Sequence, residues 1–505
     1  MTLSSYVSLS VKIDWNGDGD FVDANEDVSG YVLSGLSTKR GRQQSSDEFG
    51  AGTGSFELRN SDGLFSPFNP SSALYPNVLP GRDVKVEATY NAVTYPVFRG
   101  RCTPEGQSRR GMSVSFGMID GFEALRLGKT STALLENVRV DEVVTAILDD
   151  IGWPAGDRDL DTALATLPVF PNHNRSTLEA LLLAGKQELA GANLFLSRAG
   201  KVALFNRTHR SAAALYATLA GTFDDLDPRL RQEDLVDSVR ASYARYTVET
   251  ANSVLFSLST PLLVQPGTTT IEFEINASGV VGGKSYVSPL VSATDFTTNT
   301  AADGTGTDKT AQCAITIPAS DSGGGSLAIV NSDSVAFYVR LLHVRGLAVK
   351  PGGETNAVTA TVAAPIITGQ QYSQDFEFNQ SATDVTGWVT YTRGARGYVR
   401  PRPVVDITPD TDALMATVLG AEIGSKIVLQ DTGANWLTLI NDTFFVEGID
   451  LQFLGPGEVR AKWYLLDRDL SSGSFFRISG AAGGGQDRSL IATAAATSGY
   501  DRLGF

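Results

Sequence analysis

Short runs in which apolar and polar residues alternate recur along this chain, and they constrain its fold more than any other feature. Residues 7–13, 55–59, 83–88 and 113–118 alternate at period two and are bounded by Gly, Pro or Asn. Such alternation is typical of strands with one buried and one exposed face. Because these strands are short and closely spaced, the first 130 residues are predicted to form a small β-barrel or sandwich.

The pattern changes after residue 130 to that of a small α+β domain. Apolar residues at helical spacing in residues 140–148 predict a helix that ends before Pro154. A second helix is predicted to begin at Ser176 or Thr177, which are good N-cap residues. It is followed by a predicted hairpin whose two strands are residues 193–197 and 201–205.

The rest of the chain is again rich in predicted strands. Its composition shifts to Thr, Ser, Gly and Val between about 250 and 375, which indicates an inserted β-sandwich with a flexible turn at 322–326. From about 376 the strand pattern is predicted to continue. The fold class is therefore mainly β with a smaller α+β part, in several domains.

Six segments are predicted. They are an N-terminal β-barrel (1–130), a small α+β domain (131–215), the start of a second β-barrel (216–250), the inserted β-sandwich (251–375), the rest of the second barrel (376–469), and a mobile Gly/Ser/Ala-rich C-terminal arm (470–505).

Charge and composition exclude several classes of function. The net charge of −15 disfavours binding to nucleic acid or to anionic membranes. Two cysteines, Cys102 and Cys313, exclude a disulfide framework and a Cys-rich zinc site. The first residues lack the pattern of a secretory signal, and no stretch reaches the ~20 apolar residues that span a bilayer. We therefore expect a soluble protein that is made in the cytoplasm.

The sharpest local motif is an acidic segment at residues 14–27. Oxygen-bearing side chains alternate at Asp14, Asn16, Asp18 and Asp20, and Gly19 lies between the last two, as at the start of an EF-hand calcium loop. The closing glutamate of an EF-hand falls on Asn25 instead, and the flanks are predicted strands. Two interpretations stand. One is a structural Ca²⁺ site that is closed by Asp23, Glu26 or Asp27, and the other is an Asp/Asn/Gly hairpin held by Asx turns.

No motif for an enzyme is found, and the chain is predicted not to be one. The Gly-x-Ser-x-Gly and Walker motifs are absent, and the paired carboxylates Asp149 and Asp150 should diverge on a helix. His173 is interpreted as a contact in a polar loop without a catalytic partner. The Arg-rich residues 394–403 are either a basic patch for nucleic acid or, as the acidic total favours, an inter-subunit surface.

The order of several short motifs in the first 130 residues resembles the tail-tip hub proteins, also called minor tail proteins, of long-tailed bacteriophages (siphophages). The matching runs are residues 14–21, 26–29, 39–42 (Lys39-Arg40-Gly41-Arg42), 51–67, 74–84, 98–100 and 120–122. The helix-plus-hairpin segment is similar to the second part of such hubs. The resemblance covers about half of the chain, and the inserted sandwich and the C-terminal arm lie outside it.

The resemblance implies a structural protein of the virion, similar in fold to the baseplate hub of contractile tails. Such hubs are homotrimers in which two related barrels per chain form a pseudo-sixfold ring, and they carry no catalytic residue. The implied partners are the distal tail protein ring, the tape measure protein and tip fibre proteins, and genomic DNA passes through without specific binding. The implied location is the tail tip, assembled in the host cytoplasm. Alternatives are a distal tail ring, a receptor-binding fibre base, or a glycan-binding surface protein.

Overall fold

The computed structural model describes residues 3–33, 35–43, 49–108, 112–188, 193–229, 235–363, 365, 368–397, 402–431, 441–455 and 457–467. The predicted C-terminal arm lies outside these residues. No helix within the described ranges combines the length and the apolar character that crossing a membrane requires.

Six antiparallel strands form the N-terminal part of the structure, as the alternation predicts. Their order is β1-β4-β5-β6-β3-β2, and in β4 Val84, Val86 and Ala88 are fully buried while the residues between them are not. Their bounds are β1 (Ser8–Asp14), β2 (Leu36–Gly41), β3 (Thr53–Arg59), β4 (Arg82–Tyr90), β5 (Val93–Ser108) and β6 (Ser113–Asp120).

The α+β segment follows, and both predicted helices are confirmed. Two of its helices pack on the β7–β9 pair, and strands β10 and β11 form the predicted hairpin with β8 beside β11. Its helices are α1 (Phe122–Leu127), α2 (Val140–Asp150), α3 (Thr177–Gln187) and α4 (His209–Ala212). Its strands are β7 (Lys129–Arg139), β8 (Arg158–Leu160), β9 (Thr166–Ser176), β10 (Asn193–Leu196) and β11 (Val202–Phe205).

Two sheets cover the inserted region, and one long strand, β22, pairs with five others. The two sheets enclose a hydrophobic core that includes Phe273, Ile315, Ile329 and Phe337. The strands are β14 (Ser238–Val248), β15 (Ser253–Ser257), β16 (Leu262–Val264), β17 (Gly267–Glu274), β18 (Gly282–Lys284), β19 (Phe296–Asn299), β20 (Cys313–Ser320), β21 (Gly324–Asn331), β22 (Phe337–Thr361) and β23 (Gln371–Phe376).

The predicted turn at residues 322–326 is confirmed only for Ser322 and Gly323, which lie between the antiparallel strands β20 and β21, and its flexibility is not supported. Gly324 and Gly325 are the first residues of β21, and Ser322 is fully buried. A Cβ on Gly324 would lie 2.2 Å from the carbonyl oxygen of Phe273, and one on Gly325 would lie 2.4 Å from that of Ala319. The glycines are therefore there because neighbouring strands approach closely, and not to provide flexibility.

The remaining strands extend the N-terminal sheet. Strand β26 pairs with β2 from Leu36 opposite Phe453 to Gly41 opposite Gly448, so strands from both ends of the chain form one twelve-stranded sheet. The additional strands are β12 (Leu215–Ala220), β13 (Asp225–Arg229), β24 (Arg402–Ile407), β25 (Lys426–Gln430), β26 (Asn441–Gly455) and β27 (Glu458–Asp467).

The two sets of strands predicted as separate barrels thus lie edge to edge. Among the described residues, the named strands of neither set pair into a ring, but residues 27–33 bridge β1 and β3 of the N-terminal set, with Asp27 opposite Lys12 and Val32 opposite Leu58. One hydrophobic core runs beneath both sets and includes Val86, Phe116, Val405, Phe444 and Trp463. The mainly β fold with a smaller α+β part is confirmed, while the domain boundaries remain predictions.

Two helices interrupt the segment that was predicted to continue as strands: α5 (Ala382–Arg396) and α6 (Asp412–Gly420). Helix α5 is rich in Thr and Val, which favour strands. It forms because the Ser381 hydroxyl accepts a hydrogen bond from the N–H of Asp384, and because Val385 and Val389 are buried in a cluster with residues of β14. N-capping and tertiary packing here outweigh intrinsic propensity.

Candidate functional site

The acidic segment begins where β1 ends, and its conformation is set by short-range hydrogen bonds. Asp14 accepts from the N–H groups of Gly17 (2.5 Å) and Gly19 (2.9 Å), and both glycines have positive φ. Trp15 is 2% exposed and packs between Phe65 and Phe116, so it anchors the loop to the core. The loop is thereby held against the sheet on one side and open to solvent on the other.

Three carboxylates meet inside this loop. One oxygen each from Asp14, Asp18 and Glu26 lie within 4.8 Å of one another. Asp14 and Glu26 are almost completely buried, whereas Asp18 is exposed. Glu26 Oε2 accepts from the N–H of Asp23 (3.0 Å), but Oε1 is buried without a hydrogen-bond partner. These oxygens are hard donors of the kind that bind Ca²⁺.

The departure from the EF-hand pattern has a structural reason. Asn25 stands at the EF-hand's closing position, but its backbone is left-handed (φ 71°) and its carbonyl accepts a hydrogen bond from Trp15 Nε1 (3.0 Å). The next residue, Glu26, therefore turns its side chain toward Asp14. From the sequence, Asp23, Glu26 and Asp27 are all candidates to close the ligand shell, and Glu26 is the predicted ligand.

The other predicted ligands have different contacts. Asn16 donates to Asp18 (3.0 Å) and to Asp23 (2.6 Å), and Asp20 accepts from the N–H of Val22 (3.0 Å). Asp27 accepts from the N–H and the hydroxyl of Ser29, and these bonds lower its pKa. Asn16 and Asp20 remain predicted ligands, and in this structure both hold the loop's shape.

Electrostatics at the cluster disfavour three negative charges. Burial raises the pKa of Glu26, and the nearby Asp14, Asp23 and Asp18 carboxylates raise it further. Among the described residues, no Lys or Arg forms an ion pair with Asp14, Asp18 or Glu26. Charge compensation at this cluster therefore does not come from a protein cation in direct contact.

A second notable site is the junction between β2 and β26, where the Lys39-Arg40-Gly41-Arg42 motif lies. Arg40 pairs with Glu422 (2.8 Å), and Arg42 pairs with Glu447 (2.5 Å). Glu447 is also paired with Arg210 of α4, and both of these side chains are 4% exposed. The motif therefore connects three distant segments of the chain through buried and half-buried charges.

Sequence reasoning found the Arg motif but not its partners. Glu422 and Glu447 lie about 400 residues further along the chain, and no local pattern distinguishes them. Gly448, directly after Glu447, could have indicated the junction, since glycine inside a strand suggests a close approach of backbones.

The prediction that His173 lies in a polar loop is wrong. His173 lies in β9, and its Nδ1 is 2.8 Å from Asp321 Oδ1 of the inserted region, while Nε2 is 3.6 Å from Glu274. The neighbouring Ser322 hydroxyl bonds both to the N–H and to the carbonyl of Asn172. These contacts dock the inserted region on the α+β segment, and they do not aim a nucleophile at the imidazole.

The neighbouring aspartates Asp149 and Asp150 make separate contacts, and so does Arg396 of the Arg-rich run. Asp149 pairs with Arg158 (2.7 Å), whereas Asp150 accepts from Thr130 and Ser131, so the two carboxylates diverge as predicted. In the Arg-rich run, Arg396 ends α5 and lies over the ring of Tyr372 at 4.0 Å. Residues 398–401 of that run lie outside the described residues.

The fold is that of a mainly β protein built from several sheets, and the solved structures that it is similar to include phage tail proteins and Francisella PdpA-VgrG complexes. No protein-family profile and no curated protein matches the chain. It is similar to the prophage MuSo2 43 kDa tail protein from Shewanella oneidensis, with 10% identity over 91% of this chain and 98% of that chain at a TM-score of 0.47.

Two further structures have similar values. A tail protein from Neisseria meningitidis MC58 has 8% identity, coverage of 91% and 96%, and a TM-score of 0.46. The prophage tail protein gp18 from Listeria monocytogenes EGD-e has 7% identity, coverage of 90% and 94%, and a TM-score of 0.40. At such low identities and TM-scores, what these chains do is not transferred to this protein.

Proposed function

We propose that this protein is a structural subunit of a siphophage tail-tip hub, in which three copies form a ring that adapts the sixfold tail tube to a threefold tip. The observation that carries the proposal is the position of the Lys39-Arg40-Gly41-Arg42 motif. This motif belongs to the residues that resemble hub proteins, and most of it lies in β2. Strand β2 pairs with β26 and so joins the two sets of strands edge to edge within one chain.

Edge-to-edge joining is the geometry that a ring of sheets requires. Each chain supplies two sets of strands side by side, so three chains supply six sets, which matches a sixfold tube. The outer edge of β1 is covered by the chain's own residues 26–28, through Val28 donating to Val11 and Ile13 donating to Glu26. At the other end of the described strand order, β13 pairs with β24 on one side only. A neighbouring copy would cover such an edge, and closed symmetry would prevent further growth.

The charge of the chain supports a role as a conduit. A surface with a net charge of −15 repels the phosphates of DNA, so genomic DNA would pass without being held. In this proposal the distal tail protein ring, the tape measure protein and tip fibre proteins are the partners, and the protein acts without catalysis. The inserted region would face outward, toward another tip protein or a cell-surface glycan.

Localisation on the particle tests the proposal. Purified particles of the phage that encodes the chain are incubated with a gold-labelled antibody raised against the chain and imaged by negative stain, with the antibody pre-adsorbed on purified chain as control. Label at the tip of the tail supports the hub. Label along the tube or on the capsid, or particles without the chain, would contradict it.

A further inference from the structure

We propose that Asp14, Asp18 and Glu26 bind a calcium ion that fastens residues 26–28 to the outer edge of strand β1. The inference concerns this chain's own folding and does not depend on the hub assignment. It selects one of the two interpretations that the sequence leaves open, and it replaces the general acidic motif with a defined set of three ligands.

The first support is an oxygen that lacks a partner. Glu26 is 1% exposed, and its Oε1 is buried without any hydrogen bond, although buried carboxylate oxygens nearly always have a partner. Its other oxygen is held by the N–H of Asp23, which fixes the carboxylate in place beside Asp14 and Asp18. A cation between the three carboxylates supplies the missing interaction.

The second support is the balance of charge. Two of the three carboxylates are almost completely buried, and burying a carboxylate without an opposite charge is strongly unfavourable. Within the described part of the chain, no basic side chain forms an ion pair with them. Lys12 instead reaches toward the carbonyl of Phe21 (3.5 Å), and the Arg82 Nε donates to the carbonyl of Asn77 (2.9 Å).

The donor set identifies the ion. All three ligands offer oxygen, with neither His nor Cys in the group, which disfavours zinc. Asp14 and Asp18 already accept backbone hydrogen bonds, so the cation must accept an irregular arrangement of the remaining lone pairs. Ca²⁺ tolerates irregular coordination by six to eight oxygens, whereas Mg²⁺ demands a near-ideal octahedron.

The position of the site gives the ion a structural role. Asp14 is the last residue of β1, and Glu26 opens the segment that covers the free edge of that strand. Between them the chain leaves the sheet for eleven residues and is anchored by Trp15. An ion that bridges Asp14 and Glu26 therefore closes this loop at its base and holds the covering segment on the edge.

Thermal unfolding of the full chain tests the proposal. After removal of metal with EGTA, the melting temperature is measured without added metal, with 2 mM CaCl₂ and with 2 mM MgCl₂, at constant ionic strength. We expect calcium to raise the melting temperature by about 3 °C or more, and magnesium to raise it less. A wild-type melting temperature that does not respond to calcium would overturn the inference.

Two variants test whether the ion binds at these carboxylates. Glu26→Gln and Asp18→Asn should each abolish the calcium response, while Asp62→Asn, in an exposed Asp-Gly turn outside the loop, should keep it. Without metal, Glu26→Gln should melt at or above the wild-type temperature, because it removes a charge that Asp14 and Asp18 repel. If Glu26 were needed only for the hydrogen bonds of the loop, the variant would melt below wild type. A calcium response that persists in both ligand variants, or a metal-free Glu26→Gln that melts well below wild type, would contradict the assignment.

Terbium luminescence provides a second readout that does not depend on unfolding. Tb³⁺ replaces Ca²⁺ at oxygen sites, and Trp15 directly follows the ligand Asp14, so excitation of tryptophan should sensitise the emission of a bound ion. We expect saturable emission that calcium competes away and that Glu26→Gln lowers by at least about tenfold. Equal emission from wild type and Glu26→Gln would place the ion elsewhere.

Discussion

Gly41 and Gly448 face each other where β2 meets β26, and each leaves no room for a side chain. A Cβ on Gly41 would lie 2.2 Å from the carbonyl oxygen of Glu447, and one on Gly448 would lie 2.7 Å from that of Arg42. Gly41 also has a φ of 85°, which residues with a side chain rarely adopt. This pair of glycines permits the two ends of the chain to share one sheet.

Substitution at Gly41 should therefore weaken the whole fold. Gly41→Ala introduces both backbone strain and a clash with backbone, and we expect it to lower the free energy of unfolding by about 3 kcal/mol or more. Gly81→Ala is the matched control, because Gly81 has a similar φ of 81° and an added Cβ there would meet no atom within 4 Å. It should cost about 1 kcal/mol. Urea unfolding measures both, and equal losses would contradict the role of the junction.

Glu447 should be the most sensitive charged residue at the junction. Glu447→Gln removes the buried carboxylate that pairs with the half-buried Arg42 and the buried Arg210, and we expect a loss of about 3 kcal/mol in unfolding free energy. Glu123→Gln, which breaks the exposed ion pair with Arg126, should leave the urea midpoint unchanged. A mild effect at Glu447, similar to that at Glu123, would show that the junction is not stabilised by these charges.

Asp120 should make stability depend on pH. Burial raises its pKa to about 6 from 3.8, although Gly52 and Phe122 donate backbone hydrogen bonds to it. Since the folded state binds the proton more tightly, the free energy of unfolding should fall as pH rises from about 4 to 6, by up to about 3 kcal/mol. Asp120→Asn should flatten this part of the curve in urea titrations between pH 4 and 7.5. An unchanged slope in the variant would refute the assignment.

Ser322 should control the docking of the inserted region. Ser322→Ala removes two hydrogen bonds to Asn172 and leaves buried backbone groups unpaired, so we expect a local loss of about 1–3 kcal/mol. Hydrogen exchange of the amides of Asn172 and Gly323 should accelerate, while exchange in β2 and β26 stays unchanged. Ser334→Ala, at an exposed hydroxyl, serves as the control and should alter neither. Equal exchange at Asn172 in both variants would argue against this contact.

The strands of the N-terminal part could be predicted from the sequence because period-two alternation is a local signal. The pairing of β2 with β26 could not, because it joins residues about 400 positions apart and depends on backbone approach. Helix α5 was missed since its β-branched residues favour a strand, while its stability comes from Ser381 and from packing against β14. Local propensity is therefore a weak guide where tertiary contacts decide.

The candidate site, like the fold, could be predicted from the sequence only in part. The alternation of Asp14, Asn16 and Asp18 is visible in the sequence, and so is the set of acidic residues that could close the loop. The selection of Glu26 depends on the left-handed backbone of Asn25 and its hydrogen bond from Trp15. The partner of His173 was equally hidden, because Asp321 lies 148 residues away in the inserted region.

The symmetry of the assembled protein tests the central proposal most directly. The purified chain, at micromolar concentration, is weighed by mass photometry, and its particles are imaged by cryo-electron microscopy. We expect a mass of three times the 53.6 kDa chain and class averages of a ring with threefold symmetry and six similar lobes around the axis. A sixfold ring would favour a distal tail ring instead, and a monomer at every concentration would contradict the hub.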